Sequence, residues 1–128
     1  MSTVAFGGRQ LHLGAFFFGV GHHLAAWRHP EVDPRAASDI ESLKRWGRIA
    51  EAAKFDAIFF ADNVGLPGPP DAALAKNALW YPMEPTLTLA ALSQATTHIG
   101  LVGTVSATFL PPYHLARKFA TLDHLGGG

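Results

Sequence analysis

Residues 38–62 read SDIESLKRWGRIAEAAKFDAIFFAD, and the fold turns on how they are parsed. Ser38 and Glu41 stand at capping-box spacing, and Ile40, Leu43, Trp46, Ile49, Ala50 and Ala53 recur at helical intervals. This spacing predicts a helix beginning at Ser38. The last eight residues, FDAIFFAD (Phe55–Asp62), form a short apolar run that ends on a carboxylate, as a buried strand would. A helix feeding directly into a buried strand is part of a β/α repeat, and the flanking sequence supplies more of it.

On the N-terminal side lies HLGAFFFGVGHH (His12–His23). It predicts a strand from about Leu11 to Phe18, apolar on both faces and therefore covered on both sides. The strand stops in glycines and lands on two adjacent histidines. An irregular stretch punctuated by Pro30 and Pro34 separates it from the helix. On the C-terminal side, NVGLPGPPD breaks the pattern, so residues 63 to about 82 read as loop. A helix starts near Pro85, a residue suited to a first turn, with Leu87, Ala90, Ala91 and Ala95 on one face. IGLVGTVSATF (Ile99–Phe109) is the third strand and its exit. Pro112 opens a third helix with Leu115, Phe119 and Leu122 in register, closed by Gly126.

Three β-then-α units imply an α/β fold with parallel strands and right-handed crossovers. Ligands of such folds bind at the carboxyl ends of the strands. The residues at those exits are His22 and His23, Asp62, and Thr104 with Ser106.

The bulk composition narrows the function classes. A length of 128 residues suits one domain. Ten Lys+Arg balance ten Asp+Glu, which argues against nucleic acid or an anionic membrane held by bulk charge. There are no cysteines, so disulfides and thiolate chemistry are excluded, and a cytoplasmic address is compatible. Leu13–Val20 is short and runs into His22 and His23 rather than a cleavage site, so it does not read as a signal peptide. Nothing approaches the ~20 apolar residues of a membrane span.

Each candidate at the strand exits has a plain structural role beside its functional one. His22 and His23 suit acid/base work, substrate hydrogen bonding or metal ligation. Adjacent histidines on extended chain point apart, and no Asp, Glu or Cys near His29 completes a ligand spacing, so no metal site is expected. Gly19 and Gly21 begin a G-x-G pattern, but the third glycine is missing and prolines interrupt the helix that must follow. Asp62 serves either as a loop fastener or as a fixed acceptor for a ligand N–H or hydroxyl. Thr104 and Ser106 face the same way along a strand. They either satisfy local backbone groups or offer small hydroxyls to a heterocycle. Tyr113 and His114 fit capping or packing. Phe16, Phe17 and Phe18 are core aromatics that can also wall an apolar pocket. The sequence carries no nucleophile elbow, P-loop or glycosidase-like carboxylate pair.

The order of local motifs adds a resemblance. HLGAFFF, GHHLAAWRHP, KFDAIFFADNVG, EPTLTLAAL and TVSATFLPPYHLARKFATLDHL together resemble the start of the bacterial-luciferase-like flavin monooxygenases. Within them the likeness is to the branch containing nitrilotriacetate, dibenzothiophene-sulfone and long-chain alkane monooxygenases. It runs from about residue 11 to 126, and AWRHP and PYHLARKFATLDHL are its most specific segments.

The resemblance implies a TIM (β/α)8 barrel of which this chain is the first three β/α units, with residues 1–128 the N-terminal part of a single domain. It implies reduced FMN (FMNH2) as cofactor, O2 as co-substrate, a separate NAD(P)H:flavin reductase as partner, and a small organic substrate. Oxygenation of this kind needs a dry, enclosed pocket. Carried over by motif, Asp62 of FFADN and Thr104 of GTVSAT match flavin-contacting positions, and Phe16 lies against the flavin. His22, in the GH of the first loop, matches a position that handles substrate, with Ser106 a neighbour of the site. The family continues from LDHL through a Ser-Gly-Gly-Arg-like turn into a fourth strand, whereas here LDHLGGG ends at Gly128. A barrel of this type takes about 250 residues. The expectation is therefore a truncated barrel with an open sheet edge, its FMN-phosphate contacts lying beyond the end, and a homo-oligomer for the full-length protein. The alternative is a non-catalytic α/β remnant or small ligand- or protein-binding module.

Overall fold

The computed structural model describes residues 8, 10–23, 25–65 and 83–128. The chain runs β1 (Gly14–Phe17), a single 3-10 turn (Ala26–Arg28), α1 (Ile40–Ala52), β2 (Ala57–Phe60), α2 (Pro85–Ser93), β3 (Gly100–Gly103) and α3 (Pro112–Gly126). The strands lie in the order β1-β2-β3, and both pairs are parallel. Of the expected loop after Asp62, residues 66–82 lie outside the described residues.

Register divides the sheet into two unlike faces. Phe16 pairs with Phe59 and Phe59 with Val102, so these three side chains share one face. Ala15, Phe17, Ile58, Phe60 and Leu101 share the other, where they pack with Leu43 and Ala50 of α1 and Leu89 and Leu92 of α2. Ile58 and Leu92 are fully buried there, each worth roughly 1.5–3 kcal/mol of apolar burial. The expectation that the first strand is covered on both faces fails. Phe16 is 42% and Val102 46% exposed, because the helices cover only the face of Ala15 and Phe17. Each strand is also shorter than its apolar run, ending at Phe17, Phe60 and Gly103.

Helix α1 forms where its periodicity places it, with a different cap. The Asp39 carboxylate accepts the Ser42 N–H at 2.9 Å, whereas the Ser38 hydroxyl donates to the Arg35 carbonyl at 3.1 Å. Leu43, Gly47 and Ala50 are its buried stripe, and Trp46 sets its ring edge-on to Phe17 at 6.0 Å. Ile49 was expected on this face and is 59% exposed. At 100° per residue it stands about 120° away from Leu43. Gly47 faces Thr96, Ile58 and Leu92 within 3.4–3.6 Å of where a Cβ would sit, which lets α1 approach β2 and α2 closely.

Helix α2 is capped by Glu84, whose carboxylate accepts the Leu87 N–H at 2.8 Å and the Thr86 hydroxyl at 2.7 Å. Its buried residues are Pro85, Thr86, Thr88, Leu89, Leu92 and Ser93, while Leu87 is 72% exposed. The face expected from Leu87, Ala90, Ala91 and Ala95 is thus not the one turned to the sheet. Its hydroxyls, on Thr86, Thr88 and Ser93, bond within the helix and its cap and lie buried, so no polar face fixes its rotation. Helix α3 packs mainly on α2. Gly127 closes it one residue later than expected, at φ +87°, a conformation that favours glycine.

Two carboxylates fasten the amino-terminal end of the sheet. Asp56 accepts the Leu13 N–H at 2.6 Å and faces His12 Nδ1 at 3.0 Å. Glu51, in the last turn of α1, takes the N–H groups of Thr97, His98 and Ile99 on one oxygen at 2.8, 2.6 and 3.1 Å. His12 and the Leu13 N–H hold the Asp56 carboxyl below its ordinary range. The His98 and Thr97 N–H groups do the same for Glu51.

Candidate functional site

The opposite, carboxyl-terminal end of the sheet is built differently. Past Phe17 the chain turns sharply, closed by the Gly21 N–H donating to the Phe18 carbonyl at 3.1 Å. Gly19 at φ +54° and Gly21 at φ +138° take backbone conformations that side chains disfavour. These two glycines make the turn that follows β1. The turn returns His22 over the strand it has just left. Its ring meets Phe16 edge-on at 4.9 Å and lies 5.5 Å from Phe18. Its Nε2 sits 3.3 Å from the Phe16 carbonyl oxygen. His23 points elsewhere and accepts the Ala25 N–H through Nδ1 at 3.1 Å. His29 does the same for the Glu31 N–H at 3.3 Å.

Asp62 stands two residues beyond β2, half-exposed. No hydrogen bond among the described residues involves its carboxylate. Thr104 follows β3 directly and extends the ladder by donating its N–H to the Phe60 carbonyl at 2.9 Å, and the residue is exposed at the neighbouring exit. The Ser106 carbonyl accepts the Phe109 and Leu110 N–H groups, both at 3.2 Å, so Ser106 has a turn-forming role. Tyr113 is 68% exposed at the start of α3, with its ring 5.6 Å from that of His114.

Of the expected site residues, the structure brings Phe16 and His22 into contact and sets Asp62 and Thr104 at adjacent strand exits. No hydrogen bond among the described residues joins the first pair to the second. Sequence reasoning missed Phe59 and Val102. Phe59 lies 5.0 Å from Phe16, ring to ring, and Val102 completes the row on the uncovered face. The signal was available: every second residue of each strand, aligned in parallel register, belongs to one face. A separate crevice of about 550 Å³, lined by Leu89, Ile99, Leu101, Phe119 and Leu122 among others, opens between α2, β3 and α3. It contains none of the expected site residues.

An apolar row three strands wide thus lies on the face that the helices leave uncovered, with His22, Asp62 and Thr104 near the strand exits. Comparison with known proteins places the chain in a family. The chain is 41% identical over 120 residues to N-acetyl-S-(2-succino)cysteine monooxygenase of Bacillus subtilis (strain 168). It is 39% identical over 127 residues to nitrilotriacetate monooxygenase component A of Aminobacter aminovorans. Each match covers 94% of this chain and 26% or 28% of the relative, so the chain spans just over a quarter of their length. Among solved structures, a riboflavin lyase with modified FMN and riboflavin superposes with a TM-score of 0.81 at 32% identity, over 94% of this chain and 28% of the other. A long-chain alkane monooxygenase gives the same TM-score and identity, covering 94% and 29%. Residues 18–128 match the family described as luciferase-like monooxygenase, and the chain belongs to that family.

Proposed function

We propose that this chain forms the first three β/α units of a (β/α)8 flavin-dependent monooxygenase. The enzyme would use reduced FMN and O2 to oxygenate a small organic substrate, with the reduced flavin delivered by a separate reductase. The observation that carries this reading is the uncovered row of Phe16, Phe59 and Val102 leading to Asp62 and Thr104 at the strand exits. Neighbouring strands lie about 4.8 Å apart, so the row spans roughly 10 Å and matches a flat fused-ring system in width and polarity. The word "component" in the nitrilotriacetate relative's name supports a multi-part system.

The residues fit FMN as follows. Phe16, Phe59 and Val102 supply an apolar wall that keeps water from the ring. Asp62 accepts a ligand N–H or hydroxyl, and the Thr104 hydroxyl offers a donor beside it. His22, at the mouth of the same face, hydrogen-bonds the substrate. FMN, when bound, supplies the two-electron chemistry toward O2 that no side chain here provides.

The test is a chimera in which residues 1–128 replace the matching quarter of the Bacillus subtilis relative. The expected result is FMN binding by fluorescence titration, together with reductase-dependent consumption of N-acetyl-S-(2-succino)cysteine. A folded chimera with no affinity for FMN would overturn the assignment and leave the non-catalytic α/β module in its place.

A further inference from the structure

We infer that Gly103 is a positioning residue for Thr104. Because Gly103 carries no side chain, the first turn of α2 bears directly on the end of β3, and that contact sets where Thr104 stands at the strand exit. That Thr104 serves a flavin rests on the functional reading above, while its placement and the cause of that placement do not.

Strand alternation puts Gly103 on the helix-covered face with Leu101 and hands Thr104 to the face of Val102. On the covered face a side chain at position 103 would meet α2 at once. A Cβ there would lie 2.9 Å from Leu89 Cδ1 and 3.3 Å from Pro85 Cβ. Leu89 is 1% exposed and Pro85 is fully buried. Pro85 is moreover a rigid ring at the start of the helix, and its turn is held by more than packing. The Glu84 carboxylate accepts the Leu87 N–H at 2.8 Å and the Thr86 hydroxyl at 2.7 Å. The Glu84 carbonyl accepts the Thr88 hydroxyl at 2.9 Å, and Lys118 of α3 reaches the carboxylate at 3.9 Å. The turn that touches Gly103 is thus capped and tied to the next helix.

The other end of β3 is anchored as well, so the strand cannot slide to relieve a push at Gly103. Glu51 holds the N–H groups of residues 97–99, and the Gly100 N–H donates to the Asp56 carbonyl at 2.8 Å. Gly100 matches Gly103 in kind, since a Cβ there would lie 3.0 Å from the Asp56 carbonyl oxygen. The strand GLVG therefore begins and ends in close approaches, one to β2 and one to α2. It is only four residues long, and a displacement at Gly103 has to appear at the next residue, Thr104, whose N–H reaches the Phe60 carbonyl at 2.9 Å. All of these contacts lie among β2, β3 and the helices, and none uses an outer edge of the sheet.

The experiment compares backbone amide exchange at Thr104 and Gly100 in the FMN-free chimera. In Gly103→Ala, exchange at Thr104 should quicken by roughly tenfold while Gly100 changes by less than about twofold. Leu89→Val in the same background shortens the side chain that the new methyl meets and should slow Thr104 again. Gly103→Val enlarges the intrusion and should widen the gap between the two amides; should it not fold, Gly103→Ala decides. Equal acceleration at both amides would make Gly103 a packing residue only. Unchanged exchange at Thr104 in the variants that fold would mean that α2 does not govern the exit. Either result overturns the inference. FMN titration then gives a double-mutant cycle: Gly103→Ala should weaken binding by roughly tenfold with Thr104 present and by less than about twofold in Thr104→Val. An equal loss in both backgrounds would overturn the route through Thr104. If Thr104→Val leaves FMN affinity unchanged while the exchange contrast holds, the flavin role of Thr104 fails and its placement by Gly103 stands.

Discussion

The two ends of this small sheet treat their polar side chains in opposite ways. At the amino-terminal end, Asp56 and Glu51 are saturated by His12 and by backbone N–H groups from Leu13 and residues 97–99. At the carboxyl-terminal end, no hydrogen bond among the described residues reaches the Asp62 carboxylate or the Thr104 hydroxyl. A carboxylate that already accepts several hydrogen bonds has little left for a ligand. A carboxylate without such bonds keeps its acceptor capacity, which is what the function proposed above asks of Asp62.

The largest effect should come from between the two ends. Ile58 is fully buried against both helices, and Ile58→Ala should cost about 2–5 kcal/mol, read as a fall in the denaturant midpoint. A loss under about 1 kcal/mol would mean that the packing of α1 and α2 on this face of the sheet is not the core that holds the chain. At the fastened end, Glu51→Gln should lower the melting temperature near neutral pH and flatten its acid dependence. The folded carboxyl lies below its ordinary value of 4.5. Its stabilisation is therefore complete above pH 4.5 and is lost as pH falls through the lower folded value. Equal acid sensitivity in the parent chain and the variant would assign that dependence to another group. The smallest effect on stability belongs to the idle end. Asp62→Ala should change stability by no more than about 0.5 kcal/mol while weakening FMN binding in the chimera. The reverse pattern would make Asp62 a fastener like Asp56 and erase the contrast.

What was readable in the sequence follows the range of the interactions involved. Helix α1 declared itself because its apolar stripe alternates with charge, and the order of strands and helices followed from runs of a few residues each. The rotation of α2 did not, because its apolar and hydroxyl residues are mixed around the helix and give it no preferred face until its neighbours exist. Gly103 belongs with it: a Cβ there would come within 2.9 Å of Leu89 Cδ1, a fit visible only once α2 has settled on β3. Asp56 and Glu51 went unread because their partners lie 43 to 48 residues away. A faint signal did exist for Glu51, since an acidic side chain in the last turn of a helix opposes the dipole unless something compensates. His22, Asp62 and Thr104 were placed at strand exits by topology, whereas Phe16, inside β1, was singled out only by the resemblance. Which of their polar atoms lack a partner among the described residues emerged only from the hydrogen bonds made around them.

The Glu51 clamp has a consequence for how such a chain can diversify. It ties the end of α1 to the start of β3, gripping everything in between as a single closed loop that contains β2, α2 and the connection joining them. The entropy of closing a loop rises only logarithmically with its length, by about 0.6 kcal/mol per doubling. Residues can therefore be added to or removed from that connection at little thermodynamic cost while both anchor points stay in register. The strands and helices that carry the core can thus stay fixed while the length between β2 and α2 varies.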